Sequence, residues 1–186
     1  MPQEYVQLVN DNNEPLGEAL KSEVHTDKTP LHRAFSIFVF NSKGDLLLQQ
    51  RAGSKKTWPL IWSNSCCGHP APGEETKDAA LRRLKEELGL ELKEIDNMLP
   101  SFRYRAELNG IVENEICPVF IAFSDQDPKA NPEEVESIKW IPWQTFVQQA
   151  ESGQSDYSPW SILEAKELAA SQTFRQILKQ QTNGKA

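Results

Sequence analysis

Residues 68–90 read GHPAPGEETKDAALRRLKEELGL, and the rest of the chain is best read outward from them. Leu81, Leu84 and Leu88 recur at helical spacing, so the pattern predicts a helix over Glu75–Leu88. Gly89 stands just past its end, where a left-handed C-terminal cap favours glycine. Pro70, Pro72 and Gly73 keep the preceding stretch from being helical.

Upstream, Tyr5–Val9 alternates like a strand and Asn10–Pro15 is turn chemistry. Leu31–Phe40 and Asp45–Gln50 read as the two arms of a hairpin about Asn41–Gly44. Arg51–Pro72 shows no clear period, and an irregular stretch of that length is usually functional. Downstream, strands are expected near Phe102–Glu107, Glu113–Phe123 and Glu136–Trp140. Two helices, Trp143–Ala150 and Pro159–Gln180, should close the chain, with a frayed tail after Leu178. This order predicts an α/β (α+β) fold in which a mixed β-sheet is sandwiched between α-helices, as one domain over residues 1–186.

The bulk numbers narrow the function. Hydrophobic residues are 38% and charged residues 25%, a globular balance. The net charge of −7 argues against nucleic-acid or anionic-membrane binding, so an anionic substrate would need a local cluster of cations or a metal. No apolar run is long enough to span a bilayer, and the first ten residues do not resemble a signal peptide. Cys66, Cys67 and Cys117 show no C-x-x-C spacing, and free thiols fit a reducing compartment; the expected location is the cytoplasm.

Several residues could carry chemistry. The only three histidines, His25, His32 and His69, lie close to the features above. Glu113 and Glu115, two apart on an expected strand, point to the same side and repel unless a cation or a proton intervenes. Three imidazoles and two carboxylates suit a six-coordinate divalent ion, with imidazole favouring manganese or zinc over magnesium. Cys67, two residues before His69, could carry a proton or simply fill space.

The opening stretch resembles the Nudix signature at Gly68, Glu74, Arg82, Leu84, Glu86, Glu87, Gly89 and Leu90, with a Nudix core expected over about 31–165. In that family a loop and helix present carboxylates to a divalent metal that holds a diphosphate. Arg83 departs, standing where the family has a glutamate that several hydrolases need. The plain alternative is a solvated helix on which Arg83 and Glu87 form a surface i,i+4 pair worth ~0.3–0.5 kcal/mol.

The runs SKKTWP (54–59), W-x-N-S-x-C-G-H-P (62–70), FRYRA (102–106), GIVENEICPVF (110–120) and SPW (158–160) are similar to type 1 isopentenyl diphosphate isomerase, collinearly from about residue 3 to 175. The resemblance implies a metal site of His25, His32, His69, Glu113 and Glu115, holding Mn²⁺, Mg²⁺ or Zn²⁺. It implies a second ion, Mg²⁺ bound with the substrate, on Glu87 and the Cys67 carbonyl. It further implies diphosphate binding by Lys21, Arg51, Lys55 and Arg83, and proton transfer by Cys67 and Glu115 with Tyr104 on Glu115. Trp160, at the start of the closing helix, would cover the hydrocarbon end. The expected partner is a small diphosphate, with no nucleic acid or membrane, for a monomer or homodimer. The alternatives are a Nudix diphosphate hydrolase and an inert Nudix-like binding module.

Overall fold

A computed structural model of the chain describes residues 3–153 and 156–183. The elements run β1 (Tyr5–Val9), β2 (Pro15–Leu20), a single turn α1 (Lys21–Val24), β3 (His32–Arg33), β4 (Phe35–Phe40), β5 (Asp45–Arg51), β6 (Trp62–Ser63) and β7 (Cys66–Gly68). After these come α2 (Thr76–Leu88), β8 (Asp96–Leu99), β9 (Arg103–Leu108), β10 (Ile111–Ile116), β11 (Val119–Phe123) and β12 (Val135–Pro142). Three helices end the chain: α3 (Trp143–Ser152), α4 (Pro159–Ala170) and α5 (Gln172–Asn183).

The strands form two sheets. One, of seven strands, has the core order β12-β5-β4-β11-β8, with β6 on β5 and β7 on β4; the other runs β2-β1-β3-β10-β9. The first is mixed, since β4 and β11 are parallel while their other neighbours are antiparallel. Side chains on β4 alternate across it. Phe35, Ile37 and Val39 join Leu84 and Leu88 of α2, whereas Phe38 and Phe40 join Trp143, Phe146, Leu168 and Phe174 of the three closing helices. This sheet therefore lies between helices as expected.

The second sheet arises because two expected strands are each broken. Leu31–Phe40 divides at Ala34 into β3 and β4, and Glu113–Phe123 divides at Cys117-Pro118 into β10 and β11. The two segments run in parallel and change sheets side by side, with the Ala34 N–H on the Ile116 carbonyl at 2.9 Å and the Ser36 N–H on the Pro118 carbonyl at 3.1 Å. Pro118 has no N–H to continue the β10 ladder.

The hairpin turn forms at Asn41–Gly44, where the Asn41 side-chain oxygen accepts from the N–H groups of Lys43 and Asp45. Yet β4 and β5 pair only at Phe40–Leu46 before they splay. Part of the stretch expected to be irregular fills the opening as β6 and β7. The buried Ser65 hydroxyl bridges the gap, accepting from Val39 N–H at 2.7 Å and donating to the Leu47 carbonyl at 2.6 Å. Gly68 ends this wedge; a Cβ there would lie 2.9 Å from the Phe35 ring.

The closing region holds three helices where two were expected. Ser171 leaves the helical conformation at ψ 120°, and its hydroxyl accepts from the Phe174 N–H, starting α5 afresh. Nor is the chain frayed at residue 178, since α5 continues to Asn183 and the Thr182 hydroxyl bonds back to the Leu178 carbonyl. Among the described residues no helix is long and apolar enough to cross a membrane.

Glu74 of the signature has a structural task. Its carboxylate takes two 2.8 Å bonds from the Arg82 guanidinium and one from the Ala71 N–H, locking the loop onto α2. The Arg82 bonds, then the Ala71 N–H, hold its pKa below the usual glutamate value although partial burial opposes them. A carboxyl with a lowered folded pKa adds stability above its unfolded pKa and loses it as pH falls through the folded value. Glu74→Gln is therefore expected to cost ~0.2–1 kcal/mol near neutrality, the exposed-pair range, and progressively less below about pH 4. Urea melts at several pH values check this; an equal loss at every pH would contradict it.

Candidate functional site

A cavity of about 540 Å³ is lined by both sheets, α2 and α4. The shift of β3 and β10 into the second sheet sets its inner wall: His32 on β3 lies in register with Glu115 on β10. Nitrogen and oxygen atoms of His25, His32, His69 and Glu115 lie within 4.8 Å of one another. Glu115 Oε1 is 3.0 Å from His69 Nε2 and 3.4 Å from His32 Nε2, and these two nitrogens are 3.2 Å apart. Glu113 stands at the edge of this group, with Oε2 3.0 Å from His25 Nε2.

The donor set fits a divalent cation. The Pro30 carbonyl can only accept, so the 2.9 Å contact of His32 Nδ1 places a proton on that nitrogen and turns Nε2 toward the cluster. His25 Nε2 and Glu113 Oε2, 3.0 Å apart, are both buried without a hydrogen-bond partner. Burial lowers the His69 pKa to about 3, so this imidazole is neutral, the form that binds metal. Burial alone would raise the Glu115 pKa, but bonds from His32 and His69 hold it well below the usual range.

Every cation predicted to grip a diphosphate lines the cavity. Each is already engaged by the chain. Lys21 pairs with Glu4 at 2.6 Å, Lys55 pairs with Glu134, and Arg51 reaches the Thr57 carbonyl at 3.1 Å. Arg83 donates to Glu87 at 2.6 Å and to Glu134 at 2.9 Å. Arg83 and Glu87 are 8% and 4% exposed, which rules out the solvated surface pair. Glu87 also accepts from Gln49 and shares the cavity wall with Cys67.

Cys67 lies on β7 in one sheet, and Tyr104 and Glu115 lie on β9 and β10 in the other. The Tyr104 hydroxyl donates to Glu115 Oε2 at 2.7 Å. Burial, then the Glu115 charge, pushes the tyrosine pKa well above its usual value. The Cys67 thiol donates to Asn64 Oδ1 at 3.0 Å, and its sulfur accepts from the Trp160 indole N–H at 3.2 Å. Burial pushes its pKa up to about 12, so at neutral pH it is a thiol. Trp160 lies over this end, 4% exposed, with its ring 6.1 Å from that of Tyr104.

Two residues of this environment were assigned no role from the sequence. Asn64 donates to the carbonyls of Ile37 and Cys66 and accepts from the Ser63 hydroxyl and Cys67, so its side chain is fixed on both ends. Its place in the W-x-N-S-x-C-G-H-P run was the available clue. Glu134 follows Glu133 in a polar stretch, and nothing local marks it as the carboxylate joining Lys55 to Arg83.

Comparison with known proteins agrees with this architecture. The NUDIX domain family matches residues 30–161. The isopentenyl-diphosphate Delta-isomerase of Saccharopolyspora erythraea is 51% identical over 166 residues, 89% of this chain and 86% of that protein. The Citrobacter koseri protein of the same name is 42% identical over 177 residues, 95% of this chain and 98% of its own. Among solved structures, a Deinococcus radiodurans protein superimposes with a TM-score of 0.70 at 22% identity, over 88% of this chain and 98% of that one. A MutT protein from Methanosarcina mazei gives 0.59 at 20% identity, over 81% and 96%. At those identities the structural likeness establishes the fold alone.

Proposed function

The chain belongs to the isopentenyl-diphosphate Delta-isomerases of the Nudix fold, and from that premise we propose that Cys67 and Glu115 are the two groups that move protons in its cavity. The enzyme shifts a carbon–carbon double bond. This membership selects isomerisation over the hydrolase alternative and over an inert binding module.

The chemistry needs one proton added and another removed. Protonation of the terminal methylene of isopentenyl diphosphate gives a tertiary carbocation, and loss of a proton from the neighbouring chain carbon gives dimethylallyl diphosphate. An acid and a base on opposite sides of the alkene serve both steps. The observation that carries the proposal is that Cys67 and the Tyr104–Glu115 pair come from different sheets yet line one cavity. Trp160 presents an indole that stabilises a nearby cation by ~2 kcal/mol or more once water is excluded.

His25, His32, His69, Glu113 and Glu115 would hold one divalent ion (manganese, magnesium or zinc), and Glu87 with the Cys67 carbonyl would hold a magnesium ion. Bound there, such ions would fix the ionised Glu115 and neutralise the diphosphate. Lys21, Arg51, Lys55 and Arg83 would grip the phosphate oxygens, Lys21 as Glu4 gives it up and Lys55 and Arg83 as Glu134 does. The reading extends to one domain over residues 1–186 acting on a small diphosphate as a monomer or homodimer. The three unpaired cysteines support a reducing compartment, the cytoplasm.

The proton-transfer assignment is tested with isopentenyl diphosphate and magnesium in deuterated water. Deuterium is expected in a methyl group of the dimethylallyl product, and its entry should fail in variants of either proton-transfer group. Unlabelled product, or phosphate release without isomerisation, would contradict it. Arg83→Glu is expected to raise KM about 10–100-fold by removing charged hydrogen bonds to the diphosphate. An unchanged KM in a folded variant would remove Arg83 from the clamp.

A further inference from the structure

Behind Cys67 lies a fully buried carboxyl that the proton-transfer scheme leaves unused. Glu164 sits on α4 one turn after Trp160, on the same face of the helix. It is 0% exposed, and its Oε1 accepts from the Cys117 thiol at 3.8 Å while Oε2 has no partner. Among the described residues no lysine, arginine or histidine forms an ion pair with it. The Ser36 hydroxyl stands between the two thiols, 3.6 Å from Cys117 Sγ and 3.5 Å from Cys67 Sγ. A continuous polar chain thus runs from Glu164 through Cys117 and Ser36 to Cys67.

We propose that Glu164 is held as a neutral carboxylic acid and is a positioning residue, acting through Cys117 and Ser36 to hold the Cys67 sulfur against its cavity wall. An ionised carboxylate here would be a buried charge with no cation and one bare oxygen, whereas the acid needs only the neutral neighbours it has. Its surroundings agree. Burial raises its proton affinity, the Glu115 and Glu167 carboxylates raise it further, and the contacts of Ser36 and Cys117 only partly oppose this. The functional half of the proposal rests on the assignment of Cys67.

Neutrality makes a specific demand: glutamine, which is uncharged and of the same shape, should replace this residue, and leucine should not. Glu164→Gln is expected to keep kcat near the wild-type value. Glu164→Leu is expected to lower kcat about tenfold or more, with KM little changed, because the thiol loses its backing rather than the diphosphate its clamp. The infrared spectrum of the wild-type protein at neutral pH should contain a protonated-carboxyl C=O stretch that is missing from Glu164→Gln. The proposal is overturned by absence of that band, by a glutamine variant as slow as the leucine variant, or by a leucine variant as fast as wild type. Should Glu164→Leu not fold, the band and the glutamine variant decide the matter. The infrared result does not depend on turnover, so it separates an error about Glu164 from an error about Cys67.

Discussion

Cys67→Ala is expected to lower kcat by ~10³-fold or more, the upper part of the range for a positioned acid or base, while leaving the protein folded. The sulfur belongs to the cavity wall more than to the core. β7 is held by backbone pairing with β4 at Phe35–Gly68, Ser36–Cys67 and Ile37–Cys66, which alanine preserves. Asn64 stays anchored to two carbonyls, and the Trp160 N–H keeps its contact with the Ser63 hydroxyl. What alanine removes is the thiol proposed to hold a proton beside the alkene. Near-ultraviolet circular dichroism should superimpose on the wild type, and proton NMR in deuterated water should show no new methyl label. Near-normal turnover would exclude Cys67 from the chemistry and leave its burial as mere packing.

Glu115→Gln is expected to have a comparable effect, ~10³–10⁴-fold in kcat, accompanied by weaker retention of divalent metal. The carboxylate is surrounded on both oxygens: Tyr104 donates to Oε2, and His32 and His69 face Oε1. An amide can accept from Tyr104, but on its other side it carries hydrogens or a weak acceptor where an anion is wanted. It cannot take a proton from tyrosine, nor neutralise a cation. Metal analysis after gel filtration separates the two losses. A variant that keeps its metal yet does not turn over locates the defect in proton transfer; one that loses both has lost a ligand. A variant that turns over normally contradicts both roles.

The larger effects are thus predicted where the structure concentrates unpaired polarity, and that concentration was only partly visible in the sequence. The leucine period and Gly89 specified α2 to within a residue, because helix spacing and a left-handed cap at φ 65° are local properties. The Glu-x-Glu pair on β10 was equally legible, since alternation along a strand puts both side chains on one side. Arg83 and Glu87 could be read as a pair but not as a buried one, because burial depends on what packs over the helix.

What the amino-acid order determined by itself is therefore the signature helix, most of the strand-forming runs, the mixed sheet between helices, and a set of residues whose resemblance to a family marked them for metal, diphosphate and proton transfer. What only the tertiary structure decided is where the continuous apolar runs break, and hence which sheet carries each residue. At Ala34 and Pro118 two neighbouring strands change sheets together, placing His32 and Glu115 in one sheet while Cys67 lies in the other, on a wedge between splayed strands. The reason is physical. A period of two assigns side chains to faces but says nothing of partners, and partners are chosen by hydrogen bonds between segments far apart in the chain, such as those of Ser65, Asn64 and the Pro118 carbonyl.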